Sequence, residues 1–192
     1  MTRLSGERML QEHLGTRDRA ERFYDRQVLD HLNDRMQAFI ARQEWMFVAT
    51  SDARGACDNT LRAGPAGFVA VLDERRVAWP EYRGSGVLAS RGNIVENPHV
   101  GLLFVDSTVD RIGLHVNGRA VLTDDAALRA RHPGLPVDTV PGRRPEQWVV
   151  AEVEEAYIHC AKHIPRLHRA RDRSVAIGAK KSDYFGVDPA VA

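Results

Sequence analysis

The chain has 192 residues, 43% hydrophobic and 28% charged, which is enough length and apolar content for one globular domain with its own core. Its 27 basic residues are balanced by 26 acidic ones, a formal net charge of +1, so no basic excess points to nucleic acid or to an anionic membrane surface. No apolar run approaches the roughly 20 residues that span a bilayer and the opening Met1-Thr2-Arg3 lacks a signal-peptide core, so a cytoplasmic protein with reduced Cys57 and Cys160 is expected.

Between residues 19 and 42, Leu29, Leu32, Met36, Phe39 and Ile40 recur at intervals of three and four, which predicts one amphipathic helix lying across a sheet. The period then changes. Residues 45–50, 67–72 and 77–79 are short apolar runs bounded by Ser51-Asp52, Gly64-Pro65 and Asp73-Glu74, and read as antiparallel strands. Gly84-Ser85-Gly86 opens a segment over 87–96 that suits a short helix, ended before Asn97-Pro98. Strand patterns resume over 100–105, 112–122 and 147–158. Between the last two, residues 128–132 suit one or two helical turns, followed by an irregular Pro- and Gly-bearing connection.

After Ile164-Pro165 the chain is rich in Arg, Lys and Asp, and a short helix and a loosely held tail are expected. The sequence divides into a helical leader (1–44), one domain (45–165) and a terminal helix or tail (166–192). Six strands and few helices indicate a mainly β fold with flanking helices, an α+β barrel.

Motifs for other chemistries are missing. The chain has no Gly-x-Ser-x-Gly elbow and no Walker Gly-x-x-x-x-Gly-Lys, which removes support for hydrolase and kinase readings. His159, Cys160, Lys162 and His163 cluster after the last strand, but no Cys-x-x-Cys or His-Glu-x-x-His accompanies them, so no metal site is expected. Cys160 there reads as a reactive thiol or as a small buried hydrophobe. The Arg-bearing stretch 166–173 reads as a solvated helix face rather than a nucleic-acid surface.

One ordered series of motifs is more specific. Arg62-Ala63-Gly64-Pro65-Ala66-Gly67-Phe68-Val69 is followed by Ala78-Trp79-Pro80-Glu81-Tyr82-Arg83-Gly84-Ser85-Gly86, by Gly92-Asn93-Ile94, and by Asn97-Pro98-His99-Val100-Gly101-Leu102-Leu103-Phe104. Val116-Asn117-Gly118-Arg119-Ala120 and Tyr157-Ile158-His159-Cys160-Ala161-Lys162 complete it. In this order the chain resembles the FMN-binding split-barrel proteins related to pyridoxamine 5'-phosphate oxidase, and its leader looks like that of a bacterial subgroup. The resemblance implies a six-stranded antiparallel split β-barrel, a homodimer, and FMN held in a groove at the dimer interface.

On that resemblance, the helix opened by Gly84-Ser85-Gly86 would receive the FMN phosphate, because a helix amino terminus offers free N–H groups and positive potential. Arg62 would add a bidentate cation, and Ser90 and Asn93 neutral hydrogen bonds. Relatives place asparagine or basic side chains near this helix start where the present chain has Ser85, Gly86 and Val87. Arg83 or Arg91 either compensates or is a solvated charge. The main chain at Trp79 and Pro80 would run along the flavin ring. Phe68 lies beneath that ring or in the core, Tyr82 contacts the ring or the dimer partner, and Lys162 would hold an anionic substrate or phosphate.

The expected function is an FMN-dependent oxidoreductase acting on a small molecule. The alternative is a flavin-binding module without turnover. F420 or haem are alternative ligands of the groove, with His99, His115 and His159 either haem ligands or hydrogen-bonded structural residues.

Overall fold

The computed structural model describes residues 5–138, 140 and 143–168. Three helices open the chain: α1 (Ser5–His13), α2 (Arg17–Gln27) and α3 (Asp34–Ala41). The single helix expected over 19–42 is therefore broken. At the break Leu29 exchanges two backbone hydrogen bonds with Ala156 (3.0 and 2.8 Å), and the Leu32 N–H donates to the Glu74 carbonyl at 2.7 Å. The sheet satisfies these backbone groups in place of the helix. Asn33 then restarts the helix as its N-cap, accepting from the Met36 N–H at 3.0 Å.

The strands are β1 (Trp45–Ser51), β2 (Cys57–Ala63), β3 (Ala70–Asp73), β4 (Arg76–Tyr82), β5 (His99–Asp106), β6 (Ile112–Asp124) and β7 (Pro145–His159). α4 (Ala89–Glu96) joins β4 to β5, α5 (Asp125–Arg131) joins β6 to β7, and a short 3-10 turn (Ala161–His163) follows. All paired strands are antiparallel, in the order β2-β1-β5-β6-β7-β4-β3. The sheet thus has seven strands, not six, and its order is open rather than closed into a barrel. β2 is the strand that the hydrophobic pattern does not reveal, since none of its seven residues is buried.

β1 and β5 alternate cleanly. Met46, Val48, Val100, Leu102 and Phe104 face the core, while Trp45, Phe47 and Leu103 face outward. β4 is instead buried continuously from Val77 to Glu81. Its second face packs under α5, where Trp148, Leu128, Leu135 and Ala78 form a smaller cluster. Each large core side chain contributes roughly 1.5–3 kcal/mol by leaving water.

The β6–β7 ladder carries a register shift at Asn117/Gly118. A Cβ on Gly118 would lie 1.9 Å from the Glu152 carbonyl oxygen, so only glycine allows the two backbones to approach there.

The two ends of this sheet approach one another. Arg62 of β2 reaches Glu81 of β4, five places along the strand order, so the sheet curls and its seam is crossed by side chains. The helix or tail expected over 166–192 lies outside the described residues beyond 168. Among the described residues, no helix is long and apolar enough to cross a membrane.

Candidate functional site

The seam between β2 and β4 opens into a cavity of about 650 Å³, closed on its third side by the Gly84–Leu88 stretch and the first turn of α4. β2 lines it with Asp58 and with residues 60–63, and Glu81 and Tyr82 line it from the end of β4. Gly86 adopts φ +89, a left-handed conformation that favours glycine. Leu88 is in the same region at φ 58, which costs a non-glycine residue about 1 kcal/mol. That residue is the N-cap of α4, and no side chain caps the helix. Residues 88–91, which carry the open N–H groups of the first turn, line the cavity.

Side-chain bonds fix the helix start in place. Ser90 Oγ donates to Asp58 Oδ2 at 3.0 Å, Asn93 Nδ2 to Thr50 Oγ1 at 3.0 Å, and Asn97 Nδ2 to Ser51 Oγ at 2.9 Å. Arg91 spans to Gln147 Oε1 (3.2 Å) and Glu146 Oε2 (3.3 Å).

Arg62 is already engaged. Its Nε and Nη2 donate to the two Glu81 oxygens at 2.8 and 2.9 Å, and its Nη1 donates to Thr60 Oγ1 at 2.8 Å. Glu81, buried, also accepts from Trp79 Nε1 at 3.0 Å. A bidentate pair of this kind holds its geometry firmly. Arg143 approaches Asp138 at 3.5 Å. Arg83 is exposed and, among the described residues, has no hydrogen-bond or ion-pair partner. Tyr82 donates to Asp138 at 3.3 Å, and burial, reinforced by the Asp138 charge, pushes its hydroxyl up to about 12.

Of the residues singled out in the sequence, the cavity gathers Arg62, Tyr82, Arg83, Ser90, Arg91 and the Gly84-Ser85-Gly86 run. Phe68, Trp79 and Pro80 lie in the buried interior, with Trp79 at 0% exposure, and Asn93 faces Thr50 instead. Lys162 stands in the turn after β7 and does not line this cavity. Sequence reasoning passed over Glu81, Asp58 and Thr60.

The cluster at the end of β7 divides. His159 turns onto the outer sheet face, with its Nδ1 2.9 Å from His115 Nε2, so one ring must donate and the other accept. His115 stacks on Tyr157 at 4.8 Å, and burial, with the His159 charge second, lowers its pKa. Cys160 is exposed rather than buried, and its Sγ accepts from the Lys162 N–H at 3.5 Å. His99 is held between Asn97 Oδ1 (2.8 Å) and Arg119 Nη1 (3.0 Å).

The arrangement fits an anion. An uncapped helix terminus and an unpartnered arginine open into one cavity, whose lining holds four arginines against Asp58 and Glu81. Arg62 lines the same cavity with its Nε and one Nη2 hydrogen held by Glu81.

A family model described as pyridoxamine 5'-phosphate oxidase matches residues 32–160. No curated protein matches the chain. Among solved structures, HupZ of Group A Streptococcus is 19% identical, with 71% of this chain and 99% of that chain covered and a TM-score of 0.49. A Clostridium acetobutylicum protein related to general stress protein 26 of B. subtilis (pyridoxinephosphate oxidase family) is 14% identical, with 68% and 87% covered and a TM-score of 0.46. An F420 reductase is 19% identical, with 64% and 94% covered and a TM-score of 0.41.

Proposed function

The chain belongs to the pyridoxamine 5'-phosphate oxidase family, and from that premise we propose that it is an FMN-binding flavoprotein, an oxidoreductase acting on a small molecule, with the FMN phosphate received in the seam cavity. The observation that carries this reading is the uncapped start of α4 opening onto an arginine-rich wall. The N–H groups at 89–91 and the free Arg83 guanidinium would hold the phosphate, with the helix dipole adding favourable potential. The Asp58–Ser90 bond keeps α4 in position, and the Arg62–Glu81 pair keeps the two walls at fixed separation. When bound, FMN supplies hydride or single-electron chemistry. This chain's residues bind it, orient it and exclude water.

A second reading, flavin binding without turnover, is favoured by one observation. Asp58, Glu81 and Tyr82, the titratable groups of the cavity other than arginine, are each engaged with a neighbouring side chain. Steady oxidation of reduced nicotinamide or reduced F420 by the flavin-loaded protein decides for the enzyme. Tight binding with no turnover across donors decides for the module.

The assembly proposed is a homodimer through the outer sheet face, where Trp45, Phe47 and Leu103 present a partly covered apolar surface. Sedimentation at micromolar concentration is expected to give a dimer, and a monomer alone contradicts this. The cofactor assignment is tested by the absorbance spectrum after FMN is added and unbound ligand removed by gel filtration. Retained flavin bands are expected. A colourless protein sinks the proposal and turns attention to F420 or haem.

A further inference from the structure

A second cavity, about 1050 Å³, is larger than the seam cavity. It lies between the α1–α2 hairpin and the sheet, beneath residues of both helices and above β1, β2, β5, β6 and β7. The hairpin is closed on itself and docked on the sheet. Arg8 of α1 pairs with Glu21 of α2, and Phe23 meets Tyr157 of β7 edge-to-face at 6.1 Å.

Three features of its lining point to one kind of ligand. The first is charge: Glu7, Asp58, Glu154 and Glu155 are opposed by a single permanent cation, Arg19, and by His99. The second is aromatic surface from Phe23, Tyr24 and Tyr157, whose ring faces attract cations as well as apolar groups.

The third is an orphaned acceptor. Gln11 lines the cavity and is 8% exposed, and among the described residues its Oε1 has no hydrogen-bond partner. Its Nε2 donates to Glu7 Oε1 at 3.2 Å and to the Tyr24 hydroxyl, which itself donates to Glu7. Turning the amide over would set its oxygen against the Glu7 carboxylate, so the neighbours fix its orientation. Leaving a buried carbonyl unsatisfied is unfavourable, and a ligand N–H relieves it.

We propose that this cavity is a second binding site, for a small organic cation: an ammonium group carrying an apolar or aromatic body. The ammonium donates to Gln11 Oε1 and is neutralised by the surrounding carboxylates, and the apolar body packs against Phe23 and Tyr157. The volume suits a molecule of drug-like size. This site has the opposite charge preference to the seam cavity and does not depend on flavin binding.

Isothermal titration of the full chain with phenethylamine, and with phenylpropanoate as its anionic counterpart of like shape, tests the assignment. The amine is expected to bind one per chain, and more tightly than the carboxylate by a factor of about 10 or more. Gln11→Leu should weaken the amine about 10-fold. Should that substitution unfold the hairpin, Glu154→Gln, on an exposed β7 residue of the same lining, should weaken the amine without lowering the melting temperature. FMN should not compete. Equal binding of amine and carboxylate, no binding of either, competition by FMN, or full amine affinity in a folded variant each overturns the proposal.

Discussion

The two cavities meet at β2 and share Asp58, yet their walls have opposite character. The seam cavity holds four arginines against Asp58 and Glu81, whereas the cavity under the hairpin holds four carboxylates against Arg19 and His99. β2 runs from one to the other. The division runs along the strand's length: residues 60–63 contribute to the seam, Cys57 and Asn59 to the hairpin side, and Asp58 to both. Neither face of this edge strand is packed into the main core, so both are available to ligands. A strand that adds almost nothing to the hydrophobic core can therefore decide where anions and cations are received.

The comparison breaks most readily at the seam. Glu81→Ala leaves Arg62 without its partner and Trp79 Nε1 without an acceptor inside a largely buried wall. Loss of about 3 kcal/mol of stability is expected by urea denaturation. A loss within about 0.5 kcal/mol, the range of an ordinary surface substitution, would show that the pair does not hold the walls together.

A smaller change sharpens the contrast. Asp58→Asn removes one negative charge common to both cavities while leaving an oxygen to accept from Ser90. FMN affinity should rise and phenethylamine affinity should fall, each by roughly two- to five-fold, as expected of a half-exposed charge. Titration of both ligands against the variant checks this. Changes of the same sign for both ligands would mean that local charge does not set the preference.

Much of this architecture was legible in the sequence, because β1, β5, β6 and β7 alternate or run apolar strongly enough to declare themselves. Motif order from 62 to 104 also placed the helix opening beside Arg62. β2 was not legible: Cys-Asp-Asn-Thr-Leu-Arg-Ala has no buried face, so no hydrophobic period marks it. The helix break at 28–33 escaped for a related reason. Leu29 and Leu32 keep helical spacing but take their backbone partners from the sheet and from the Glu74 carbonyl.

Pairing across the fold was beyond any local pattern. Glu81 takes up the Arg62 fork only because the curled sheet brings β2 to β4, and His115 meets His159 only because β6 and β7 are in register. Phe68 was ambiguous between ring contact and core, and packing places it, like the Trp79 side chain, inside the domain.

The most direct test of an anion-receiving seam is to compare FMN with riboflavin, which lacks the phosphate, by absorbance after gel filtration for the native chain and for Arg83→Ala. Retention of FMN well above riboflavin is expected, with the preference reduced in the variant while riboflavin is unchanged. Equal retention of the two flavins by the native chain would contradict the account, since it would mean that neither the α4 terminus nor Arg83 receives the phosphate.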